Sequence, residues 1–177
     1  MPPPRPVSIS DAASYVVKKL AIDAACLVTT DAETVRLARN TYLSGKPKAQ
    51  GMLDHYTGGT KSDVVVDTGD LFRDDPSVAA HFLKVVKVER AAGKTSGSVA
   101  VAQDVYSNQD WRNALGSINL QWKNMGTGGV EVWFINRYRW HPTAQRATQC
   151  VHEAADNLKA KGAAEFDMIG THYMLAP

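Results

Sequence analysis

The densest run of groups able to do chemistry is Asn136-Arg137-Tyr138-Arg139-Trp140-His141-Pro142, with Gln145 and Arg146 close behind. Guanidinium groups present a planar fork of donors that suits phosphate or carboxylate, and imidazole exchanges protons near neutrality. In an extended chain, alternation puts Arg137, Arg139 and His141 on one face and Asn136, Tyr138 and Trp140 on the other. One side can then meet an anion while the other packs. The same pattern also serves an edge strand guarded by charge against aggregation, so the residue types leave both roles open.

A second cluster is Asp54-His55-Tyr56-Thr57-Gly58-Gly59. The Gly pair lets backbone approach a ligand closely, although a turn beside a partly buried Tyr accounts for it equally. His152 sits in the apolar helical pattern of Ala147, Val151, Ala154, Ala155 and Leu158, the usual setting of a packed histidine; one or two turns beyond Arg146, it is also in reach of the first cluster. His81 and His172 lack a supporting pattern and read as surface or packing residues. The carboxylates Asp63, Asp67, Asp70, Asp74 and Asp75 lack the spacing, central Gly and terminal Glu of a calcium loop, so they read as a solvated acidic loop and supply no metal ligands. Phosphate-cradling, dinucleotide, nucleophile-elbow and zinc-protease signatures are missing.

The elements that must position these residues follow from periodicity. Residues 1–7 are a Pro-rich extended lead. Helical spacing recurs in Ala13, Val16, Val17, Leu20 and Ala24, and again after a Thr30 or Asp31 cap in Val35, Leu37, Ala38, Tyr42 and Leu43, ending at Gly45. Residues 8–50 thus read as a helical extension, and from Gly51 to residue 177 short β-rich runs take over. Val64–Val66, Ser98–Tyr106, a strand after Trp111 and Val130–Ile135 are strand candidates, the last two joined through Met125–Gly129 as a hairpin. Pro76 opens a helix that closes at Gly93, a helix follows Pro142 up to Gly162, and Phe166, Met168 and Ile169 begin a closing strand. The fold class is α+β, with N-terminal helices before a mainly antiparallel β-rich body carrying a helix near the C-terminus.

Composition sets the outer limits. The 177 residues are 44% hydrophobic and 21% charged, enough for a real core, and the +2 formal charge argues against nucleic acid as a partner. Apolar runs are too short to span a bilayer as a helix. The first six residues, with four Pro and one Arg, lack the apolar core of a Sec signal peptide. Cys26 and Cys150 are too few for a disulfide framework or a thiolate zinc site, and their Ala, Val and Leu neighbours favour buried free thiols. A single bridge remains open in an oxidising compartment.

In order and spacing, Leu53-Asp54-His55-Tyr56 with Gly58-Gly59, the Asp110–Gly116 segment with Ala114-Leu115-Gly116, Asn136-Arg137-Tyr138 and Gln145-Arg146 together resemble the catalytic domain of colicin M and its bacteriocin relatives. Arg146-Ala147-Thr148-Gln149-Cys150-Val151-His152 is similar to a helix of toxin domains carried at the C-terminus of type VI secretion and polymorphic-toxin effectors. The resemblance implies an antibacterial toxin, delivered to the target-cell periplasm, that hydrolyses lipid-linked peptidoglycan precursor (lipid II) between undecaprenol and pyrophosphate. It implies magnesium as cofactor, and the lipid-linked precursor, a cognate immunity protein and the secretion machinery or parent effector as partners. Tyr138 and Arg146 match the family motif. Its leading Asp is Asn136 here, the acidic residue after the Tyr is Arg139, and the His before the Arg is Gln145. Asn and Gln do not move protons, and losing such a group costs about 10²–10⁴ in rate. An enzyme would then draw on His141, with His152 and His55 in support, while Asn136, Arg139 and Tyr56 contact substrate. The alternative is a non-catalytic module that binds a membrane or lipid carrier, or a structural domain of a secretion effector.

Arg146 is the matched charged position of that motif and would hold pyrophosphate through charge-assisted hydrogen bonds worth about 1.5–3 kcal/mol. Arg146→Ala is therefore expected to abolish toxicity while leaving the far-UV circular dichroism spectrum unchanged. A folded and fully toxic variant would remove Arg146 from the site.

Overall fold

The computed structural model describes residues 16–18, 20–22, 24, 26, 29–126, 129–138 and 149–176, with Gln149 and His152 as backbone alone. After helical residues between 16 and 26, the elements run α1 (Asp31–Tyr42), α2 (Pro47–Thr57), β1 (Val64–Val66), α3 (Thr68–Asp74), α4 (Pro76–Ala91), β2 (Ser96–Val101), α5 (Gln109–Leu115), β3 (Ile118–Asn124), β4 (Val130–Tyr138), α6 (Gln149–Ala160) and β5 (Phe166–Leu175). The fold is α+β, as the alternation of periods implies. Two compact units are present, one of Met1–Ser44 with Trp140–Ala163 and one of Gly45–Arg139 with Ala164–Pro177.

The first unit is helical. Thr30 and Glu33 form a capping box at the start of α1, the Thr hydroxyl accepting from Glu33 N while the Glu carboxylate accepts from Thr30 N at 3.0 Å. Helices α1 and α6 pack together around Ile22, Ala38 and Val151, with Leu37 and Tyr42 against them. Cys26 and Cys150 join the same cluster and are bonded to each other, their Cα atoms 6.2 Å apart. This corrects the expectation of free thiols: the apolar spacing that buries each cysteine also brings both to one small core.

The second unit holds a five-stranded sheet in the order β1-β5-β4-β3-β2, with β1 parallel to β5 and the other pairs antiparallel. Its core is aromatic and aliphatic, with Phe82, Trp122, Phe134, Phe166, Leu71 and Leu120 fully buried. One sheet face meets the helices. There Gly170 lies where a Cβ would fall 2.3 Å from the Phe134 ring, so the core residue opposite Phe134 has to be glycine. At the outer strand β2, His81 of α4 donates from Nε2 to the Ala100 carbonyl at 3.0 Å, occupying an edge acceptor.

Two expectations about Gly51 onward are overturned. Residues Pro47–Thr57 are helical: Pro47 opens the helix, and Ala49, Met52, Leu53 and Tyr56 bury one face at helical spacing. Its first amides are capped from far along the chain, the Asp110 carboxylate accepting from Lys48 N at 3.1 Å and Ala49 N at 2.8 Å. A cap that distant leaves no local signature. Asn108 in turn accepts from Asp110 N at 2.9 Å and starts the short helix α5, where a strand lead-in is the expectation from sequence. Gly116 ends it with φ 64° and ψ −143°, a backbone state that essentially requires glycine.

The acidic run is not a solvated loop. Asp67 caps α3 by accepting from Asp70 N at 3.0 Å, and Asp70 pairs with Arg73. Asp74 accepts from Trp111 Nε1 at 3.3 Å and pairs with Lys48 at 3.3 Å, while the Lys48 ammonium stands 4.3 Å from the Trp111 ring centroid. Asp75 is fully buried and accepts from Ser107 Oγ at 2.7 Å, Ser107 N at 3.2 Å and Asn108 N at 2.9 Å. These carboxylates join the starts of α2, α3, α4 and α5.

Removing a buried acceptor strands its donors without water. Asp75→Ala is expected to lower the urea-unfolding free energy by about 3 kcal/mol. A loss under about 1 kcal/mol would show that the Ser107 and Asn108 donors find other acceptors.

Candidate functional site

Of the sequence-derived candidates, Asn136, Tyr138, His55 and Tyr56 can be placed with their side chains, and all four belong to the sheet unit. Strand β4 carries the first two to its C-terminal end, and α2 carries the others to its last turn. Arg139, His141 and Arg146 lie outside the described residues, as do Trp140, Pro142 and Gln145. His152 stands in α6, its side chain likewise outside them.

Tyr138 points to the core side of β4 and stacks on Phe166, its cross-strand partner, with ring centroids 4.9 Å apart and planes within 11°. Tyr56 lies 6.2 Å from it, centroid to centroid, and is itself buried; its carbonyl accepts from Ala164 N at 3.1 Å. Burial, reinforced by the neighbouring Tyr56 and Asp54, pushes the Tyr138 hydroxyl well above the usual phenol range. It stays protonated and can donate a hydrogen bond.

His55 meets the edge of Phe166 at 4.4 Å between centroids, with the rings 75° apart. Its Nε2–H donates to the Ser62 carbonyl at 2.8 Å, which makes Nδ1 the nitrogen left for other work in the neutral ring. Phe166 therefore joins His55 to Tyr138, and this aromatic set of His55, Phe166, Tyr138 and Tyr56 is what the fold assembles from the two sequence clusters.

Asn136 takes another role. Its Nδ2 donates to the carbonyls of Leu115 at 3.1 Å and Ser117 at 3.3 Å, clamping the turn around Gly116. Arg137, expected on a cationic face, is matched by Glu165 at 3.2 Å and Asp167 at 3.3 Å. Magnesium takes oxygen ligands in near-octahedral geometry. Among the described residues no group of three or more His, Cys, Asp or Glu is gathered that could hold such an ion.

Sequence reasoning missed a second cluster on the other sheet face. The β4–β5 register shifts between Val132 and Phe134, so two residues of β5, Thr171 and His172, stand against Trp133. The bulge lays the His172 ring flat on Trp133, with centroids 4.9 Å apart and planes 6° apart, and His172 Nδ1 meets Glu131 at 2.9 Å. Alternation in β4 alone could have paired Glu131 with Trp133, but nothing local announces the bulge that adds His172.

No family model matches the chain, and no curated protein or solved structure is significantly similar to it. Among the described residues no helix is long and apolar enough to cross a membrane.

Two tyrosines are held neutral by burial, since Tyr106 is also pushed well above the usual range, by desolvation and by nearby Asp75. A raised folded pKa means the stabilisation is complete below the unfolded value near 10 and is lost as pH climbs through the folded value. Ultraviolet titration of the six tyrosines should show Tyr106 and Tyr138 ionising only with alkaline unfolding, and stability falling above about pH 10. Reversible ionisation of all six before any loss of structure would contradict their burial.

Proposed function

We propose that the chain is an antibacterial toxin domain acting at the cell envelope, in the manner of the colicin M-like and secretion-effector toxins that its motifs resemble. The observation that carries the envelope assignment is the Cys26–Cys150 bridge. Disulfides persist in oxidising surroundings such as the bacterial periplasm and are rare in the cytosol. The substrate that follows from the resemblance is lipid-linked peptidoglycan precursor, cut at its undecaprenyl-pyrophosphate bond. In this reading, as the resemblance implies, His141 is the proton-transfer group with His152 in reserve, and Arg146 holds the pyrophosphate. An immunity protein and a delivery machine are the implied partners.

The non-catalytic reading is favoured by one observation. Asn136 stands where the family has its leading Asp, and its amide is spent on the Leu115 and Ser117 carbonyls, the work of a structural residue. A toxin that binds a lipid carrier or membrane, or a structural effector domain, needs no acid there.

Expression in the cytosol compared with expression directed to the periplasm tests the site of action, and growth arrest only in the periplasm is the expected outcome. Purified protein incubated with lipid-linked precursor, in magnesium and in chelator, tests the chemistry. Release of the pyrophosphate-linked sugar supports the enzyme, with His141→Ala slowing it by about 10²–10⁴. Arrest without release selects the binding module, and arrest in the cytosol alone overturns the envelope assignment.

A further inference from the structure

The helical unit is built from two pieces of chain, Met1–Ser44 and Trp140–Ala163, with the whole of Gly45–Arg139 between them. Among the described residues it buries Ile22, Val35, Ala38, Val151, Ala154 and Ala155, with Leu37, Tyr42 and the two cysteines packed against Ile22, Ala38 and Val151. Polar ties across the pieces include Asp31 to Lys161 at 2.6 Å and Asp31 to Asn157 at 3.1 Å, both at the exposed surface. Surface ion pairs contribute little, and a unit built from two pieces this short ordinarily relies on a staple as well as on its core. The bridge, by contrast, joins residues 124 positions apart, a separation at which closing the loop in advance removes much disorder from the open chain. Both cysteines pack, partly buried, against the core that the bridge closes. The sheet unit depends on none of this, because it contains neither of the chain's two cysteines and has its own core around Phe82, Trp122, Phe134 and Phe166.

We propose that the Cys26–Cys150 bridge is a redox switch: oxidised, it assembles the helical unit; reduced, it lets the two chain pieces part while the sheet unit stays folded. The switch runs by thiol–disulfide exchange with a glutathione-type partner. One cysteine thiolate attacks oxidised glutathione, forming a mixed disulfide and releasing one glutathione thiolate. The second cysteine thiolate then displaces the other, so two protons and two electrons leave the protein and two glutathione molecules form. Reduction is the reverse. The device works whether or not the chain cleaves a lipid-linked precursor, and its readout is independent of that reaction.

The test uses the full chain equilibrated in glutathione buffers from oxidising to reducing, with thiol alkylation reporting the state of the bridge and hydrogen exchange by mass spectrometry reporting structure. Peptides of α1 and α6 should lose protection by roughly 10²-fold or more at the same midpoint at which Cys26 and Cys150 become alkylable. Peptides of β3, β4 and β5 should keep theirs. The Cys26→Ser/Cys150→Ser variant should show the reduced pattern in every buffer. Unchanged protection of α1 and α6 after complete reduction would overturn the switch, and so would joint loss of protection in both units, which would mean a single cooperative fold.

Discussion

A single buried carboxylate organises the sheet unit. Asp75 sits at the junction of α3 and α4 and gathers the Ser107 hydroxyl and two successive backbone amides, so the loop leading to α5 is held against the start of α4. From there the chain of dependence is short. Asn108, placed by Asp75, starts α5; Asp110, placed by Asn108, caps α2; and Trp111 on α5 receives Lys48 on its face while donating to Asp74. Burying one charge is costly unless it is fully bonded, and the three donors to Asp75 are what make it tolerable.

The same network explains what could be read from sequence and what could not. Strand Val64–Val66, helix Pro76–Ala91, the β3–β4 hairpin and the closing strand from Phe166 were legible because each carries its own period or its own Pro and Gly punctuation. Helices α2, α3 and α5 were not, being short and started by caps or packing supplied from elsewhere. The acidic residues of 63–75 have the composition of a solvated loop. Asp75 alone among them is buried, and the partners of Asp74 and Asp75, namely Ser107, Asn108, Trp111 and Lys48, are not near neighbours in sequence.

The candidate site was legible in part. His55 and Tyr138, 83 positions apart, do come to the same Phe166, and alternation correctly assigned Tyr138 and Asn136 to the packing side of β4 and Arg137 to the other. Alternation cannot say what a side chain bonds to. Asn136 faces the Gly116 turn and Arg137 faces two carboxylates, so neither residue type signals by itself whether it serves a ligand or the fold. The disulfide shows the complementary limit: two apolar stretches each looked like core, but that they are the same core is a fact of tertiary packing.

The sheet order places β5 between β1 and β4, and this governs the timing of folding during synthesis. The β2–β3–β4 meander pairs near neighbours and can form as soon as it emerges from the ribosome, whereas Val64–Val66 must wait about a hundred residues for Met168–Gly170 to arrive beside it. Until then β1 has no partner, Phe134 lacks the glycine that floors its ring, and one side of β4 presents open backbone donors and acceptors. A chain stopped before Phe166 would therefore not be a shorter version of the same sheet. It would be a three-stranded meander with an exposed seam, and the last strand to be made decides when the nascent chain stops being sticky.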